Sequence, residues 1–376
     1  MTAPRTAPVG VLLVCSGLEH AHRGFESFAR ECFDELRGEP GLDLALVKGS
    51  GHAGPAESTI PTLNRETGLA QALGRVWRKE PFRVEQVTFG ASLLPLIARR
   101  RPAAIYFSEW HTGLVLGAFR RLTRQHFRLI LCNGTMAVDG FEHLDRVQQL
   151  TPAAMEAALS RGDASARHVL LPLGFSLAPE SAMVSGAERS SLRQRLGLPR
   201  DRQIILSVAA LNRRHKRLDY LIEEVAGLPA PRPFLLLAGE PEAETDGLRA
   251  LAAARLGDGG HSMRTVAHAE VRDLYRASDV FVLASLGEGL PRALIEALGS
   301  GLPCLAHDYP VTRFALGSHG ELADFSVPGG LTRLLREVTA RGERAGSARQ
   351  RHRYAYENYS WDRLRPRYVE LLQGRI

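Results

Sequence analysis

The most constraining feature of this 376-residue chain is the stretch 281–308, FVLASLGEGLPRALIEALGSGLPCLAHD. A continuous apolar run, Val280–Ala284, predicts a strand that is buried on both faces, as in parallel sheets. Pro291 suits the first turn of a helix, and Gly299 marks the position where that helix is predicted to end. A second strand is predicted to begin at Cys304. A strand–loop–helix–turn–strand unit of this kind is typical of a doubly wound α/β domain.

Two carboxylates lie within this unit, Glu288 in the loop and Glu296 in the helix. Glu288 follows the carboxyl end of a strand, which is where open α/β sheets bind ligands. Glu296 stands between apolar residues, and a carboxylate there needs a hydroxyl, amide or arginine partner. The free N–H groups at the helix start can hold an anion, so the unit suits a sugar linked to a phosphate. The alternative is that Glu296 only forms a salt bridge with another helix.

The two glutamates, together with the flanking sequences SDVFVLAS, EGLP and EALGSGLP, resemble the signature of glycosyltransferase family 4. The usual alanine–glycine of that signature is replaced by serine–glycine in this chain. The resemblance implies the GT-B architecture, in which two Rossmann-like, doubly wound parallel-sheet domains face a cleft. It also implies a retaining transferase that moves a hexose-like sugar from a nucleotide diphosphate sugar to an acceptor hydroxyl. It covers the C-terminal half closely and the N-terminal half loosely.

The length of the chain and the alternation of strands and helices predict two α/β domains of ordinary size. An apolar content of 44% and a charged content of 24% indicate a globular protein. We expect an acceptor-binding domain at 1–176 and a nucleotide-sugar-binding domain at 177–355. The resemblance implies that a final helix, 356–376, packs back on the first domain.

The formal net charge of +7 favours an anionic partner, such as a nucleotide, a phosphate or an anionic membrane surface. No nucleic-acid-binding module is recognised, so we expect no nucleic acid partner. No apolar run approaches the roughly 18 residues of a membrane span, and we therefore expect a cytoplasmic protein. Arginines interleaved with leucine, isoleucine and phenylalanine predict either a solvated helix face or peripheral contact with an anionic membrane at its inner face. These arginines are Arg99, Arg100, Arg101, Arg120, Arg121, Arg124 and Arg128.

A basic loop, LNRRHKR at 211–217, follows a predicted strand and precedes a predicted helix. Clustered cations at such a turn suit a diphosphate group. By resemblance, Lys216 is the lysine with which the family holds the diphosphate. The usual arginine position is occupied by Ala210, so either Arg213 or Arg214 is expected to supply that charge.

The resemblance implies further donor contacts in both halves of the chain. Gly24, with Arg23 beside it, would let the backbone approach the donor phosphates. Gly239 and Val266 lie in segments that resemble those lining the nucleotide cleft. The expected donor-binding residues are Gly24, Arg213, Arg214, Lys216, Gly239, Val266, Glu288, Gly289, Leu290, Pro291 and Glu296. Among them, Glu288 is expected to bind the sugar hydroxyls and Glu296 the ribose.

Polar residues after two predicted strands of the N-terminal half are expected to form the acceptor side. Glu109 and His111 follow one strand, Asn133 follows the next, and Asp139 is within reach of the same loop. Many members of the family have a histidine where Asn133 stands, so His111 is the candidate that replaces it. The expected catalytic residues are Glu288, Lys216 and His111. The acceptor is expected to be a lipid, a natural product or a saccharide.

No Asp-x-Asp motif is present, so we expect no metal and no other cofactor. His20 and His22 are two residues apart in a loop without further ligands, and solvated histidines are expected there. The segment 49–54 matches G-x-G-x-x-G, but prolines follow directly, so a flexible loop over 49–64 is predicted instead of a dinucleotide site. A helix over Glu85–Arg100 and a basic helix over Arg341–Arg353 are also predicted.

Two other functions agree with the sequence. One is a different GT-B enzyme, such as a phosphorylase or a sugar nucleotide epimerase. The other is a non-catalytic subunit that binds a sugar nucleotide. The alanine at 210 and the asparagine at 133 are the features that favour the second alternative.

Overall fold

The computed structural model describes residues 7–21, 24–134, 137–177, 186–342 and 346–376, without the side chains of Trp77, His268 and Ala269. The chain divides into two compact units. Unit 1 comprises Met1–Phe175 and Trp361–Ile376, and unit 2 comprises Ser176–Ser360. Two residues named in the predictions, His22 and Arg23, lie outside the described residues.

Each unit is built on one parallel sheet. The strands of unit 1 are β1 (Val9–Cys15), β2 (Leu42–Lys48), β3 (Glu57–Thr59), β4 (Ala104–Phe107), β5 (Arg128–Asn133), β6 (Arg146–Gln149) and β7 (His168–Leu170). The strands of unit 2 are β8 (Ile204–Val208), β9 (Phe234–Ala238), β10 (His261–Arg264), β11 (Val280–Leu283), β12 (Cys304–His307) and β13 (Glu321–Ala323). The strand order is β3-β2-β1-β4-β5-β6-β7 in the seven-stranded sheet and β10-β9-β8-β11-β12-β13 in the six-stranded sheet.

Helices connect the strands in both units. They are α1 (Gly24–Leu36), α2 (Gly68–Trp77), α3 (Pro81–Arg100), α4 (Trp110–Thr123), α5 (Pro152–Ser160), α6 (Gly186–Arg195), α7 (Leu218–Ala226), α8 (Thr245–Leu256), α9 (His268–Ala277), α10 (Arg292–Gly299), α11 (Pro310–Leu316), α12 (Gly330–Arg341), α13 (Ser347–Tyr359) and α14 (Trp361–Gln373). No helix in the described part of the chain combines the length and the apolar character needed to span a bilayer.

The last helix, α14, is held in unit 1 by a buried aromatic cluster. The ring of Trp361 stacks on that of Phe28 with a centroid distance of 5.9 Å and lies 4.8 Å from the ring of Tyr368. The Tyr368 hydroxyl donates to the carbonyl of Pro172 at 2.8 Å, so the buried phenol is satisfied. A Cβ on Gly174 would lie 2.5 Å from the Trp361 ring, so only glycine fits against this helix.

In unit 2 the central strands β8 and β11 are neighbours although β9 and β10 lie between them in sequence. Their pairing aligns Val280 with Ile205 and Phe281 with Leu206. All four of these side chains are buried, which explains the continuous apolar runs in the sequence. Because the strand order reverses between β8 and β11, the loops after these two strands flank the topological switch point of the sheet.

The predicted fold class is confirmed, because both units are parallel, Rossmann-like sheets covered by helices. Three predicted details are wrong. The segment 49–64 is not a loop throughout, because Glu57–Thr59 pairs with β2. The helix predicted from Glu85 begins at Pro81, and the basic helix predicted over Arg341–Arg353 is observed at Ser347–Tyr359. Gly342 at the end of α12 and Gly346 before the start of α13 both have positive φ, which glycine adopts easily.

Candidate functional site

The basic loop after β8 is shaped by Asn212, which is only 7% exposed. Its side-chain oxygen accepts hydrogen bonds from the backbone N–H of His215 at 3.1 Å and of Lys216 at 2.8 Å. Its side-chain nitrogen donates to Glu242 Oε2 at 3.1 Å. An asparagine that closes a turn in this way fixes the backbone from which the following cations project.

Lys216 extends from this loop to the loop after β11. Its ammonium donates to Glu288 Oε1 at 2.5 Å, and both side chains are largely shielded from water. His215 lies beside this pair, with Nε2 at 3.1 Å from the carbonyl oxygen of Gly287 and 3.9 Å from Glu288 Oε1. The structure therefore brings two residues of the predicted site, Lys216 and Glu288, into direct contact at the switch point of unit 2.

The arginines of the basic loop have other positions. Arg213 donates its backbone N–H to Glu244 Oε2 at 2.7 Å, and its guanidinium lies against helix α8, where a Cβ on Gly247 would be 3.0 Å from Nη2. The backbone N–H of Arg214 is 3.4 Å from the same Glu244 oxygen. The side chains of both arginines are exposed. Neither forms an ion pair with Glu288 within the described residues, unlike Lys216.

Arg217, which the sequence analysis did not single out, forms hydrogen bonds near the end of β11. Its guanidinium donates to the carbonyls of Phe325 at 2.7 Å and Ala284 at 3.5 Å, and it lies 4.3 Å from the ring centroid of Tyr220. The positive φ of Arg217, 50°, turns the chain into helix α7. This arginine therefore links the start of α7 to the end of β11 and to the segment after β13.

Glu296 has the partners that its position in an apolar helix predicts. Its Oε2 accepts from the Tyr275 hydroxyl at 3.0 Å, and Arg292 Nη2 lies 3.4 Å from Oε1. Burial, and next the negative charge of Glu296, raises the pKa of Tyr275 well above its ordinary value, so this phenol stays a donor. The alternative, a salt bridge from another helix, is wrong for the described residues, because Tyr275 is uncharged and Arg292 belongs to the same helix.

The start of α10 lies directly after Glu288. Pro291 is the residue before the helix, with φ −77° and ψ 98°, and Arg292 is the first helical residue. Leu290 is 8% exposed and Pro291 is also buried, whereas Gly289 is half-buried. The N–H groups of the first helical turn have no partners within a helix, so they remain available to an anion or to a carbonyl.

Gly239 and Val266 follow the neighbouring strands β9 and β10. The N–H of Gly239 donates to the carbonyl of Arg264 at 3.1 Å. A Cβ on Gly239 would lie 1.8 Å from the carbonyl oxygen of Ala209, so the backbone of the β8 loop passes too close for any side chain. Val266 is half-buried on the adjacent connection. These residues therefore line the same edge of the sheet as the basic loop.

Unit 1 carries a buried charged network that the sequence analysis missed. Glu85, on α3, accepts from Arg65 at 2.6 and 2.9 Å, from the Ser16 hydroxyl at 2.7 Å and lies 3.2 Å from His20 Nε2. Burial alone would raise the pKa of Glu85, but these hydrogen bonds hold it well below its usual range. The expectation of a solvated His20 is wrong, because its side chain is 10% exposed and contacts Glu85. The one sequence signal for this network was Glu85 itself, a charged residue within the apolar pattern of α3.

Glu109 is a buried carboxyl at the end of β4, 7% exposed. Its Oε1 accepts from the Ser16 N–H at 2.6 Å, and its Oε2 is 2.9 Å from the Thr112 hydroxyl. That hydroxyl also lies 3.0 Å from the carbonyl oxygen of Gln86. If the single hydroxyl proton goes to this carbonyl, a protonated Glu109 satisfies the remaining contact. Burial, opposed by these hydrogen bonds, raises the pKa of Glu109 from 4.5 to about 7.

We expect Glu109 to make the stability of the protein depend on pH. A raised pKa means that the folded chain favours the protonated carboxyl. Its contribution to the free energy of unfolding is therefore fully present below pH 4.5 and is lost as pH rises to about 7. The shift corresponds to about 3 kcal/mol. In urea unfolding, Glu109→Gln should therefore gain about this amount relative to wild type between pH 5 and pH 8. The exposed Glu142→Gln serves as the control, and parallel curves for wild type and Glu109→Gln would contradict the expectation.

The other expected acceptor-side residues differ in their surroundings. The backbone N–H and the Nδ1 of His111 each lie 3.1 Å from Gln86 Oε1. Burial, and next the charges of Arg83 and Lys79, lowers the pKa of His111 below its ordinary value. Asn133 is 2% exposed and its side-chain nitrogen donates to the Ala137 carbonyl at 2.8 Å, so it closes its own loop.

Two predicted residues remain at the surface of unit 1. Asp139 is exposed, and Gly24 is the exposed first residue of α1. Within the described residues, no three histidine, cysteine, aspartate or glutamate side chains are grouped so that they could hold a metal ion.

The chain resembles known proteins in sequence and in fold. Residues 188–357, just under half of the chain, match the family model described as Glycosyl transferases group 1. Over 194 residues the chain is 32% identical to the D-inositol 3-phosphate glycosyltransferase of Streptomyces coelicolor, a match that covers 47% of this chain and 41% of that protein. Matches to other curated relatives also span less than half of their length.

Solved structures resemble the chain over nearly its whole length. Sucrose-phosphate synthase from Thermosynechococcus elongatus has a TM-score of 0.77 at 17% identity, covering 98% of this chain and 99% of that one. Anabaena Alr3699/HepE, in complex with UDP and glucose, has a TM-score of 0.74 at 16% identity and covers 97% and 100%. These likenesses show that the chain has the fold of GT-B glycosyltransferases.

Proposed function

We propose that this protein is a retaining glycosyltransferase of family 4, which moves a sugar from a nucleotide diphosphate sugar to an acceptor hydroxyl without a metal. The observation that carries the proposal is the contact between Lys216 and Glu288 at the switch point of unit 2. Two features support it further, the match of residues 188–357 to Glycosyl transferases group 1 and the second carboxylate, Glu296, in the helix that follows.

Each of these side chains has a role that its chemistry suits. Departure of a nucleoside diphosphate builds negative charge, which the ammonium of Lys216 and the N–H groups at the start of α10 stabilise. Glu288 accepts hydrogen bonds from the hydroxyls of the donor sugar, and Glu296, oriented by Tyr275, accepts from the ribose. In the free protein Lys216 and Glu288 hold each other in place. The donor replaces this single contact with two, because its phosphate takes the cation and its sugar takes the carboxylate.

A fixed cation next to the leaving phosphate performs the charge stabilisation that a divalent metal gives in other transferases. We therefore propose that transfer needs no metal. Unit 1 binds the acceptor in this proposal, with His111 as the catalytic candidate. Its lowered pKa keeps the imidazole neutral at neutral pH, so it can accept a proton from an acceptor hydroxyl.

The experiment is a thermal-shift and hydrolysis screen of the purified protein against UDP-, GDP-, ADP- and dTDP-sugars, with and without EDTA. A donor that binds the folded state raises the melting temperature without any acceptor. One donor should stabilise wild type, with a smaller effect in Lys216→Ala and Glu296→Ala and an unchanged effect in the exposed Glu337→Ala. Hydrolysis should survive EDTA.

Other outcomes of the same screen would replace this proposal. Loss of hydrolysis in EDTA would contradict metal independence. Turnover that requires inorganic phosphate would indicate a phosphorylase, and conversion of the sugar nucleotide without an acceptor or hydrolysis would indicate an epimerase. Binding without turnover across a broad set of acceptors would indicate a non-catalytic subunit. If no donor shifted the melting temperature, the proposed transferase function would be contradicted.

We further propose peripheral contact with an anionic membrane through unit 1. The helices α3 and α4 pack together and precede neighbouring strands, so their C-terminal ends lie at the same edge of the sheet. Leu122 is 86% exposed among the arginines there. The exposed arginines are Arg99, Arg100, Arg101, Arg121 and Arg124. The other two arginines of the predicted surface form hydrogen bonds within unit 1. Arg120 donates to the carbonyls of Phe127 and His143. Arg128 donates to the carbonyls of Leu371 and Leu372.

This contact is tested by sedimentation with vesicles of phosphatidylcholine, with or without phosphatidylglycerol. Binding should require the anionic lipid and weaken at high salt, because exposed charges are screened. Arg121→Glu combined with Arg124→Glu should reduce binding strongly. The same charge change at the exposed Arg272 and Arg333 of unit 2 is the control. Equal binding to both vesicles, or equal loss in both double variants, would contradict the proposed surface.

A further inference from the structure

Besides Lys216, the side chain of His215 also reaches the loop after β11. Its Nε2 lies 3.1 Å from the Gly287 carbonyl oxygen and 3.9 Å from Glu288 Oε1. A carbonyl oxygen can only accept, so Nε2 carries a proton in this contact. Nδ1 is therefore the atom that gains or loses a proton, and the side chain is 54% exposed, which leaves it open to water. His215 can thus become a cation without breaking its contact with Gly287.

Two of the three arginines of the loop are engaged elsewhere. The guanidinium of Arg213 lies against α8, and that of Arg217 is engaged by two carbonyls behind the site. Ala210, where the resemblance places an arginine, has no charge to offer. Among the described residues of the basic loop, the two that contact the Gly287–Glu288 segment are His215 and Lys216.

The charged groups around His215 favour its protonation once a diphosphate is present. Glu288 faces it from the loop after β11, but that carboxylate is shared with the Lys216 ammonium. Tyr309, from the segment before α11, stays neutral, because burial and next the Glu288 charge raise its pKa far above the neutral range. A diphosphate adds negative charge beside the imidazole, so it binds the protonated form better than the neutral one.

We propose that His215, in its imidazolium form, is the second cation that holds the donor diphosphate, in place of the arginine missing at Ala210. This inference rests on the proposed function and makes donor binding dependent on pH. Protonation of His215 and donor binding favour each other, so donor affinity falls as pH rises.

The test uses whichever of UDP-, GDP-, ADP- and dTDP-glucose stabilises wild type most, titrated calorimetrically from pH 5.5 to pH 8.5. The diphosphate of such a diester does not titrate in this range, so any pH dependence comes from the protein. We expect the Kd of wild type to rise about tenfold between pH 6 and pH 8. His215→Gln should bind weakly with a flat profile, and His215→Arg should bind tightly with a flat profile.

A matched control is His261→Gln. His261 also contacts a backbone carbonyl, that of Gly257 at 3.1 Å, but at the start of β10 on the opposite edge of the same sheet. It should keep the wild-type profile. Parallel profiles of Kd against pH for wild type and His215→Gln would overturn the inference and leave the proposed function intact. The same conclusion would follow if Arg213→Gln lost donor affinity and His215→Gln did not. Failure of wild type to bind any of the four donors would overturn the proposed function itself.

Discussion

Replacement of Lys216 by alanine is expected to lower kcat about 10²- to 10³-fold, with a smaller effect on donor affinity. In the proposed reaction the ammonium meets the negative charge that develops on the departing diphosphate, and losing one preorganised group of this kind costs this much in rate. Its position is fixed by the Asn212 turn and by the 2.5 Å contact with Glu288. The measurement is single-turnover hydrolysis of the donor that the thermal-shift screen identifies.

Two further variants separate the loss of charge from a general disturbance. Lys216→Arg keeps a cation next to Glu288 and should retain more activity than the alanine variant. Arg249→Ala removes an exposed cation from α8, where the partner is Asp246 one turn away, and should leave kcat unchanged. A Lys216→Ala enzyme that turns over within a factor of two of wild type would show that this cation has no part in catalysis.

Gly239→Ala is expected to lower the free energy of unfolding by about 3 kcal/mol and to abolish donor binding. A new Cβ would lie 1.8 Å from the Ala209 carbonyl oxygen, which is a backbone atom and cannot rotate away. The β8 loop that carries Asn212 would have to move, and the cations of the basic loop would move with it. Urea unfolding gives the stability, and the thermal shift with the preferred donor gives the binding.

Gly247→Ala is the matched glycine control within the same unit. Gly247 lies inside α8, and the nearest atom to a new Cβ, at 3.0 Å, is Nη2 at the end of the flexible Arg213 side chain. Alanine at a helical position stabilises by about 0.5–1 kcal/mol relative to glycine, so this variant should be at least as stable as wild type. If both variants unfold at the wild-type urea concentration, the close approach at Gly239 has no energetic consequence.

Local sequence pattern was sufficient for the elements nearest the site. The strand predicted over Val280–Ala284 is observed at Val280–Leu283, and the helix predicted to end at Gly299 does so. A continuous apolar run and a terminal glycine are local signals, so they depend little on the rest of the chain. The helix α11, with seven residues, and the strand β3, with three, were not predicted, because such short elements have weaker local signals.

Contacts between distant segments could not be predicted in this way. The sequence left Arg213 and Arg214 as equal candidates for the missing charge, because both stand in the same basic run. Only the folded loop shows that the Arg213 guanidinium faces α8 while His215 faces Gly287. Glu85 is a similar case, because its partners come from two other segments, at Ser16 and Arg65.

The contact between Lys216 and Glu288 joins residues that are 72 positions apart. We expect a contact of such long sequence separation to form late in folding, because the loop between its two partners must be closed first. On this expectation, a donor that binds the pair stabilises an interaction that forms after the transition state for folding. It should slow the unfolding of unit 2 and leave its refolding rate nearly unchanged. If the proposed donor binds here, the lifetime of the folded unit, more than its speed of formation, should depend on the supply of sugar nucleotide.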